Sequence, residues 1–255
     1  MLMFSLTNKI ALITGGYGHL GKTLTTSLRD AGASVIVCGR DENKFNRTFK
    51  ERANIEFISM DVSSLDSIQR ACRRIVDKHE KIDILVNNAF YCKGQTPDTI
   101  SEDEWQLGID GVLNSVFRCT KAVVPYMKKQ RSGNIINISS MYGVCSPDFK
   151  IYKEHTEFFN PPNYGVSKAA IIQMTKYYAA YYANKGIRFN CISPGAFPSG
   201  PAQKEKSFMR RLENKIPLGR IGKPEDLKGV VIFLASDASS YIVGQNIIVD
   251  GGWTL

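Results

Sequence analysis

The chain has 255 residues, of which 43% are hydrophobic and 22% charged, and its formal net charge at pH 7 is +9. This length suits one α/β domain, or two small ones, with a full core, and the composition is typical of a soluble globular protein. No apolar run approaches the ~18 residues of a membrane span, and residues 1–4 are too few for a signal peptide, so we expect a cytoplasmic protein that binds no membrane.

Strand and helix patterns alternate along the chain, and no linker divides it. The short runs that end in glycine or polar residues are apolar at almost every position, as parallel strands buried on both faces should be. Ser63 and Asp66 suggest the capping box of the helix after the third strand. The sequence therefore predicts a single doubly wound Rossmann-type α/β domain over residues 1–255, with a parallel sheet of about seven strands and helices on both faces. The predicted strands cover 9–14, 34–38, 55–59, 82–87, 134–139, 187–192 and 246–250, and the longer helices cover 19–31, 101–129, 164–185 and 224–235.

The cysteines, histidines and basic residues limit the classes of partner. The six cysteines stand singly without a CxxC pair, which indicates reduced thiols in a cytosolic protein. The three histidines, His19, His79 and His155, lie far apart without ligand-like spacing, so no metal site is predicted. The basic residues are spread along the chain and no RNA-type aromatic motif accompanies them. An acidic small molecule is therefore expected as a partner rather than a nucleic acid.

The turn after the first strand fits two phosphate-binding motifs. Its glycines at a spacing of three suit a dinucleotide turn, in which the backbone approaches a pyrophosphate at a helix N-terminus. Gly16 followed by Gly21-Lys22-Thr23 also satisfies the P-loop pattern of nucleoside triphosphatases. A P-loop enzyme needs an apolar strand that ends in a magnesium-binding Asp, whereas the strand at 82–86 is followed by Asn87-Asn88, which weakens that interpretation. The dinucleotide glycines are Gly15, Gly18 and Gly21.

A tyrosine and a lysine four residues apart open the helix predicted at 164–185. Tyr164 and Lys168 share one helix face because a helix turns every ~3.6 residues. An ammonium beside a phenol, whose pKa is ~10, favours the phenolate, which suits proton transfer to a substrate oxygen during hydride transfer. The same pattern recurs at Tyr181 and Lys185, so the spacing alone does not choose between the two pairs.

Six motifs follow one another along the chain: the glycine turn, Asp61-Val62, Asn87-Asn88-Ala89, Ile138-Ser139-Ser140, Tyr164 with Lys168, and Ser193-Pro194-Gly195. They occur in the order seen in short-chain dehydrogenases/reductases, and the chain resembles that family over nearly its whole length. The tail motifs, from Pro217 to Arg220 and from Gly244 to Gly252, are similar to the family too. The order of the motifs selects Tyr164, because only Tyr164 lies between the serine pair and the Pro-Gly turn.

The resemblance implies a Ser-Tyr-Lys active site and a nicotinamide cofactor. Tyr164 would be the general acid/base, and Lys168 would lower its pKa and hydrogen-bond the nicotinamide ribose. Ser140 would hold the substrate oxygen. Besides Tyr164 and Lys168, the cofactor contacts implied are Gly15, Tyr17, Gly18, His19, Leu20, Gly21, Asp61, Val62, Asn88, Ala89, Pro194 and Gly195.

The end of the second strand indicates which nucleotide binds. An acidic residue there would bind the 2′-hydroxyl of NAD and repel a 2′-phosphate. The position carries Gly39, and Arg40 follows, a planar cation that suits phosphate. NADP(H) is therefore predicted, with NAD possible because Asp41 and Glu42 come next, although these acids also suit the start of a helix.

Three departures from the family pattern concern the chemistry. His19 stands where a glycine is often found, and Val112 stands where the long helix usually carries a structural Asn. Asn114 lies two residues further round that helix, facing elsewhere. About a dozen extra residues, near 144–162, separate the serine pair from Tyr164. This insertion is either a substrate-covering loop, which its position favours, or a surface insertion.

The substrate and the assembly follow from less specific features. The lid segment expected at 197–215 carries five basic residues, which suit either a solvated helix or a cationic rim over an anionic sugar-type substrate. The glycine turn and the insertion resemble reductases of bacterial surface-sugar and flagellin-modification pathways. The alternatives are reduction of a 3-oxoacyl group on an acyl carrier protein and a non-catalytic dinucleotide-binding sensor.

The helix from Tyr164 is apolar or aromatic on most of its circumference, so a homodimer or homotetramer is expected.

Overall fold

The parallel sheet places the ends of its strands around one central crevice. The computed structural model describes residues 3–255, and the sheet runs in the order β3-β2-β1-β4-β5-β6-β7. Because the strand order reverses between β1 and β4, the carboxyl ends of these two strands flank the position where α/β sheets bind ligands. The strands are β1 (Ile10–Thr14), β2 (Ser34–Gly39), β3 (Ile55–Ser59), β4 (Ile84–Asn87), β5 (Gly133–Ile138), β6 (Ile187–Pro194) and β7 (Asn246–Val249).

Helices cover both faces of the sheet, and two apolar cores result. One core packs Leu24, Phe45 and Leu234 against one face, and the other packs Ile68 and Val123 against the opposite face. This arrangement confirms the predicted doubly wound fold. No helix within residues 3–255 is long and apolar enough to cross a membrane. The helices are α1 (His19–Asp30), α2 (Glu42–Thr48), α3 (Leu65–His79), α4 (Glu102–Ile109), α5 (Ser115–Gln130), α6 (Pro162–Tyr182), α7 (Lys206–Lys215) and α8 (Lys228–Ala235).

The helix predicted at 101–129 is interrupted. A π-helical turn at Asp110–Asn114 separates α4 from α5, and Ser101 and Glu104 form the capping box that starts α4. The loop after β4 presses on this turn, because a Cβ added to Gly111 would lie 2.0 Å from the carbonyl oxygen of Tyr91. Such π turns are often found near functional sites. Here the turn sets the position of Val112.

The predicted capping box at Ser63 and Asp66 is wrong by one residue. Ser64 caps α3 and accepts a hydrogen bond from the backbone N–H of Ser67. Ser63 instead donates both its backbone N–H and its hydroxyl to the carboxylate of Asp61. This local turn satisfies the Ser63 groups before the helix begins.

The insertion at 144–162 packs on the lid helix α7. Its single regular element is a 3₁₀ turn at Thr156–Phe158. His155 shares a 2.8 Å hydrogen bond with Ser207, and the ring centroids of Phe158 and Phe208 lie 4.9 Å apart. The insertion and α7 therefore form one cluster beside the N-terminus of α6.

Candidate active site

A cleft of about 610 Å³ opens at the carboxyl ends of the central strands. The glycine turn forms part of its wall, and the first turns of α6 form another part. Its walls include every residue predicted to bind cofactor or to act in catalysis except Asp61. These residues are Gly15, Tyr17, Gly18, His19, Leu20, Gly21, Arg40, Val62, Asn88, Ala89, Ser140, Tyr164, Lys168, Pro194 and Gly195.

The glycine turn is closely packed against the loop after β4. Gly15 has φ +64, and a Cβ at residue 21 would lie 2.2 Å from the Gly15 carbonyl oxygen. The Asn88 side chain donates hydrogen bonds to the carbonyls of Thr14 and Gly15 at 2.9 and 3.1 Å. This cradle has the form that brings a pyrophosphate to the start of a helix.

The P-loop alternative does not fit this geometry. Lys22 is exposed on α1 and does not line the cleft, and Thr23 is buried in the helix. A P-loop lysine must reach the β- and γ-phosphates. The two residues therefore belong to the first turn of α1, as the dinucleotide interpretation requires.

Two basic residues line the end of the cleft beside Gly39. Arg40 and Lys44 line it, and the Lys44 ammonium lies 5.8 Å from the Tyr17 ring centroid. The Tyr17 ring rests on Gly39, where a Cβ would lie 2.3 Å from the phenol oxygen. Asp41 caps α2 by accepting a hydrogen bond from the Lys44 N–H, so this acid has the helix-starting role. Lys44 was not among the predicted cofactor contacts, although it lies only four residues after Arg40.

Asp61 lies outside the cleft wall. Its carboxylate holds Ser63, and its pKa is lowered by those hydrogen bonds and by Arg40, although burial opposes the shift. Met60 and Val62, on either side of Asp61, line the cleft instead. The Asp61 side chain, predicted to contact the cofactor, is thus used in a local turn.

His19 connects the glycine turn with the segment after β6. Burial lowers the pKa of the imidazole, while a hydrogen bond with the Phe197 backbone and the charge of Glu225 raise it. Phe197 also lines the cleft. The residue that replaces the usual glycine therefore makes a contact to the start of the lid segment, which a glycine would lack.

Lys168 and Tyr164 lie side by side at the catalytic end of the cleft. The Lys168 Nζ donates a 2.8 Å hydrogen bond to the Ile138 carbonyl and lies 5.5 Å from the Tyr164 ring centroid. Burial lowers the pKa of Lys168 to about 8. Lys168 is 3% exposed, so the charged form of its amine has little contact with water.

The pKa of Tyr164 is raised, not lowered as predicted. Burial raises the pKa of its phenol to about 12, against the lowering effect of a hydrogen bond with Ser140. The Lys168 ammonium, held by Ile138, is not among the causes of the shift. Tyr164 is therefore protonated at neutral pH, which is the form that donates a proton to a carbonyl oxygen.

Phe90 forms the neighbouring wall. It is 53% exposed, its ring centroid lies 5.7 Å from that of Tyr164, and the Lys168 ammonium lies 5.2 Å from the same ring. The family usually has a glycine after Asn-Asn-Ala. An exposed aromatic ring at this point gives the reacting end of the cleft an apolar side.

The repeated Tyr-Lys pattern lies outside the cleft. The Lys185 ammonium is 3.7 Å from the Tyr181 ring centroid, and Tyr181 is exposed. This geometry is a surface cation–π contact. It agrees with the choice of Tyr164 as the functional tyrosine.

Val112 is buried in an apolar cluster formed by residues of α5, α6 and β6. It packs with Val116, Ile171 and Cys191 and is 1% exposed. Asn114 faces elsewhere, as predicted, and donates to the Asp110 carboxylate at 3.2 Å. The position of the family's structural Asn therefore offers no polar group to Lys168.

The basic residues of the lid segment do not line the cleft. Arg211 pairs with Glu154 of the insertion at 2.5 Å, while Lys204, Lys206 and Arg210 are exposed on the outer surface. The cationic rim expected over an anionic substrate is therefore not formed. Among the described residues, no group of His, Cys, Asp and Glu side chains could hold a metal ion.

The fold, the glycine cradle and the Ser-Tyr-Lys geometry define a nicotinamide-dependent oxidoreductase. The sequence model of a family described as enoyl-(acyl carrier protein) reductase matches residues 19–254, and the chain belongs to the short-chain dehydrogenase/reductase family. It is 37% identical over 255 residues to a 3-oxoacyl-[acyl-carrier-protein] reductase of Thermotoga maritima, covering 97% of this chain and 98% of that one.

Solved structures of other dehydrogenases have the same fold. A gluconate 5-dehydrogenase from Burkholderia cenocepacia, in complex with NADP and tartrate, is 31% identical with a TM-score of 0.89, and the match covers 99% of this chain and 97% of that one. A short-chain dehydrogenase from Leptospira borgpetersenii with bound NAD+ is 33% identical with a TM-score of 0.89, covering 100% and 96%. Both nucleotides therefore occur among similar structures.

Proposed function

We propose that the protein is an NADPH-dependent reductase that converts the ketone of a 3-oxoacyl thioester to a secondary alcohol. The observation that carries the proposal is the arrangement of Ser140, Tyr164 and Lys168 in one cleft wall, with the Lys168 ammonium 5.5 Å from the centroid of the Tyr164 ring. Ser140 and Tyr164 would hold the carbonyl oxygen, and Tyr164 would donate the proton. Lys168 would bind a ribose hydroxyl. NADPH, when bound, supplies the hydride.

Arg40 and Lys44 support NADP(H) over NAD(H). Both line the end of the cleft next to Gly39, where an acidic residue would select the 2′-hydroxyl. Two cations at this point favour a phosphate dianion, and Arg40 offers the planar fork that phosphate prefers. Asp41, the acid that lines the cleft beside them, is engaged in capping α2, and the Asp61 carboxylate, which also interacts with Arg40, accepts hydrogen bonds from Ser63.

The acyl substrate is favoured over a sugar-type substrate. The relatives with this chain length and 33–37% identity include several 3-oxoacyl-[acyl-carrier-protein] reductases. The cationic rim that a phosphorylated or nucleotide-linked sugar would need does not line the cleft, whereas Phe90 makes the reacting end partly apolar. The likeness to a gluconate dehydrogenase keeps a polar hydroxyacid as the second candidate. Nothing at the site supports the flagellin-modification interpretation specifically.

The direct test is oxidation of NADPH by the purified protein with acetoacetyl-CoA. Turnover that disappears in Tyr164→Phe is the expected result. Gluconate with NADP and a set of sugar phosphates with NADPH form the comparison arms. If the protein turns over a sugar but not the thioester, the substrate is of the sugar type and the acyl proposal is wrong. NADPH binding without turnover of any carbonyl would instead identify a sensor.

We also propose that the protein forms a homo-oligomer. Tyr177 and Tyr181 on α6 are 67% and 57% exposed, and Val166 is 51% exposed on the same helix. An exposed aromatic and apolar helix face of this length is uncommon on a monomer. A second copy of the chain is the expected cover.

A further inference from the structure

The Lys168 ammonium lies at a corner formed by two aromatic rings. Its Nζ is 5.2 Å from the centroid of the Phe90 ring and 5.5 Å from that of the Tyr164 ring, and the two centroids are 5.7 Å apart. Because the three distances are nearly equal, the rings cover two neighbouring sides of the ammonium. Both rings are within the ~6 Å over which an aromatic face attracts a cation. We name Phe90, Tyr164 and the Lys168 ammonium the aromatic corner.

Few polar groups compensate the charge of Lys168. The Ile138 carbonyl accepts a 2.8 Å hydrogen bond from Nζ, and Lys168 is 3% exposed. Within residues 3–255, no carboxylate forms an ion pair with this lysine. The titratable groups that act on it are the thiols of Cys191 on β6 and Cys92 after β4, and burial raises the pKa of both thiols. The aromatic faces are therefore the main electron-rich groups beside the ammonium apart from the carbonyl.

The backbone on both sides of Phe90 is held in place. The N–H of Ala89 donates a 2.9 Å hydrogen bond to the buried hydroxyl of Thr14. The hydroxyl of Tyr91 donates to the carboxylate of Asp110 in the π turn. The Phe90 ring is nevertheless 53% exposed, so burial of apolar surface accounts for little of its presence. Its contact with the Lys168 ammonium is the specific interaction that the ring makes with the site.

We propose that Phe90 is a positioning residue that keeps Lys168 charged and holds its ammonium beside Tyr164. An aromatic face attracts the ammonium but not the neutral amine, so the contact favours the protonated lysine. The ammonium is also the form that donates the stronger hydrogen bonds to a ribose hydroxyl. The proposal rests on the proposed function for that ribose contact, whereas the effect of Phe90 on the charge of Lys168 needs no ligand.

The charge of Lys168 is sensitive to a contact of this size. Burial lowers the pKa of Lys168 to about 8, so small changes in its surroundings alter its charged fraction near neutral pH. A partly desolvated cation–π contact changes an equilibrium by roughly five- to thirtyfold. Removal of the Phe90 ring should therefore move the titration of Lys168 to lower pH by roughly one pH unit.

The test is a double-mutant cycle between Phe90→Leu and Lys168→Met, measured by denaturant unfolding at pH 6 and pH 9.5 without cofactor. Leu keeps an apolar side chain but has no aromatic face, and Met removes the charge. The Phe90 contact raises the pKa of Lys168 in the folded state, so its stabilisation is present at pH 6 and is lost as the pH rises through about 8. Phe149→Leu, which removes a ring that is 54% exposed in the insertion, is the matched control.

We expect Phe90→Leu to lower the folding equilibrium constant roughly fivefold or more at pH 6 and to change it little at pH 9.5. In the Lys168→Met background, the same substitution should have equal and small effects at the two pH values. Phe90→Trp, which keeps an aromatic face, should behave like the wild type. Phe149→Leu should produce the same change at both pH values.

Titration of NADPH gives a second readout. Phe90→Leu should weaken NADPH binding by up to about fivefold at pH 8, where fewer Lys168 side chains remain charged than in the wild type, and little at pH 6. Phe90→Trp should retain the wild-type affinity at both pH values. A purely steric role of the ring would change the affinity equally at the two pH values.

An effect of Phe90→Leu on stability that is independent of pH, or that persists unchanged in the Lys168→Met background, would overturn the proposal. The proposed function would be untouched by that result, because oxidation of NADPH with acetoacetyl-CoA by the unmutated protein tests it separately. A pH-dependent effect in a protein that does not bind NADPH would show that Phe90 keeps Lys168 charged and would refute the proposed function instead.

Discussion

The Lys168 ammonium donates a 2.8 Å hydrogen bond to the carbonyl oxygen of Ile138, two residues before Ser140. This contact anchors Lys168 to the end of β5. The Ile138 carbonyl is the hydrogen-bond partner of the Lys168 ammonium, and Lys168 is almost fully buried. A buried ammonium that has one hydrogen bond in place of its hydration destabilises the fold. We infer that Lys168 is kept at this position because the proposed reaction needs it.

Lys168→Met should abolish turnover and stabilise the fold at neutral pH. The pKa of Lys168 is lowered from its ordinary value of 10.5 to about 8, so the unfolded chain binds more protons between pH 8 and pH 10.5. Wild-type stability therefore rises with pH through that window, by up to about 3 kcal/mol. The difference in the free energy of unfolding between Lys168→Met and the wild type should decrease by the same amount between pH 8 and pH 10.5. Denaturant unfolding at several pH values measures it, with the exposed Lys176→Met as control. A pH-independent difference would contradict the assignment.

Tyr164→Phe should remove turnover and leave NADPH binding nearly unchanged. The phenol is the proton donor, and its loss leaves the cofactor cradle intact. Tyr181→Phe should retain the wild-type rate, because Tyr181 makes a surface contact with Lys185. The measurements are steady-state kinetics and fluorescence titration of NADPH. Similar kinetic losses in the two variants would show that Tyr164 is not the acid.

Arg40→Ala and Lys44→Ala should each reduce the preference for NADPH over NADH. Removing one charge-assisted contact to a phosphate costs about 1.5–3 kcal/mol, or roughly 10- to 100-fold in affinity for NADPH. Affinity for NADH should change little. Titration of both nucleotides measures the ratio, and equal affinities in the unmutated protein would contradict an NADP(H) site.

Val112→Asn should destabilise the protein without raising turnover. Val112 lies in the apolar cluster with Val116 and Ile171, so an amide there is left without partners at a cost of about 1–3 kcal/mol. Val112→Ala, which removes volume without adding polarity, is the control. A gain in kcat with unchanged stability would show instead that the cluster can accept a proton-relay residue.

Light scattering at micromolar concentration should report a dimer or tetramer. Tyr177→Glu places a charge on the exposed face of α6 and should shift the protein toward the monomer. Lys204→Glu, on the exposed lid surface, should not. A monodisperse and active monomer in the unmutated protein would refute self-association through this face.

Local patterns allowed most of the architecture to be predicted. Buried strands show as short apolar runs, and β3 begins and ends at the predicted residues. Fifteen of the predicted site residues line one cleft, since glycine turns and the Tyr164–Lys168 spacing are local features with a geometric meaning, and their roles stay predictions. The choice of Tyr164 over Tyr181, however, depended on the order of the motifs and not on the pattern itself.

Two of the failures involve contacts between segments distant in sequence, and the third, at Asp61, involves a local turn. The π turn at Asp110–Asn114 arises where the Tyr91 loop presses on Gly111, which no helical periodicity reveals. The raised pKa of Tyr164 follows from burial that only the assembled cleft determines. Asp61 left the cleft wall because Ser63 offered it two hydrogen bonds.

The pairing of Arg211 with Glu154 has a consequence for transplanting this active site into another scaffold. The insertion and α7 lie about 50 residues apart in the chain, yet they share an ion pair, the His155–Ser207 hydrogen bond and an aromatic contact. A chimera that received residues 144–162 alone would expose apolar rings that α7 normally covers. Residues 206–215 must be exchanged together with the insertion, because the two segments pack as a single structural unit.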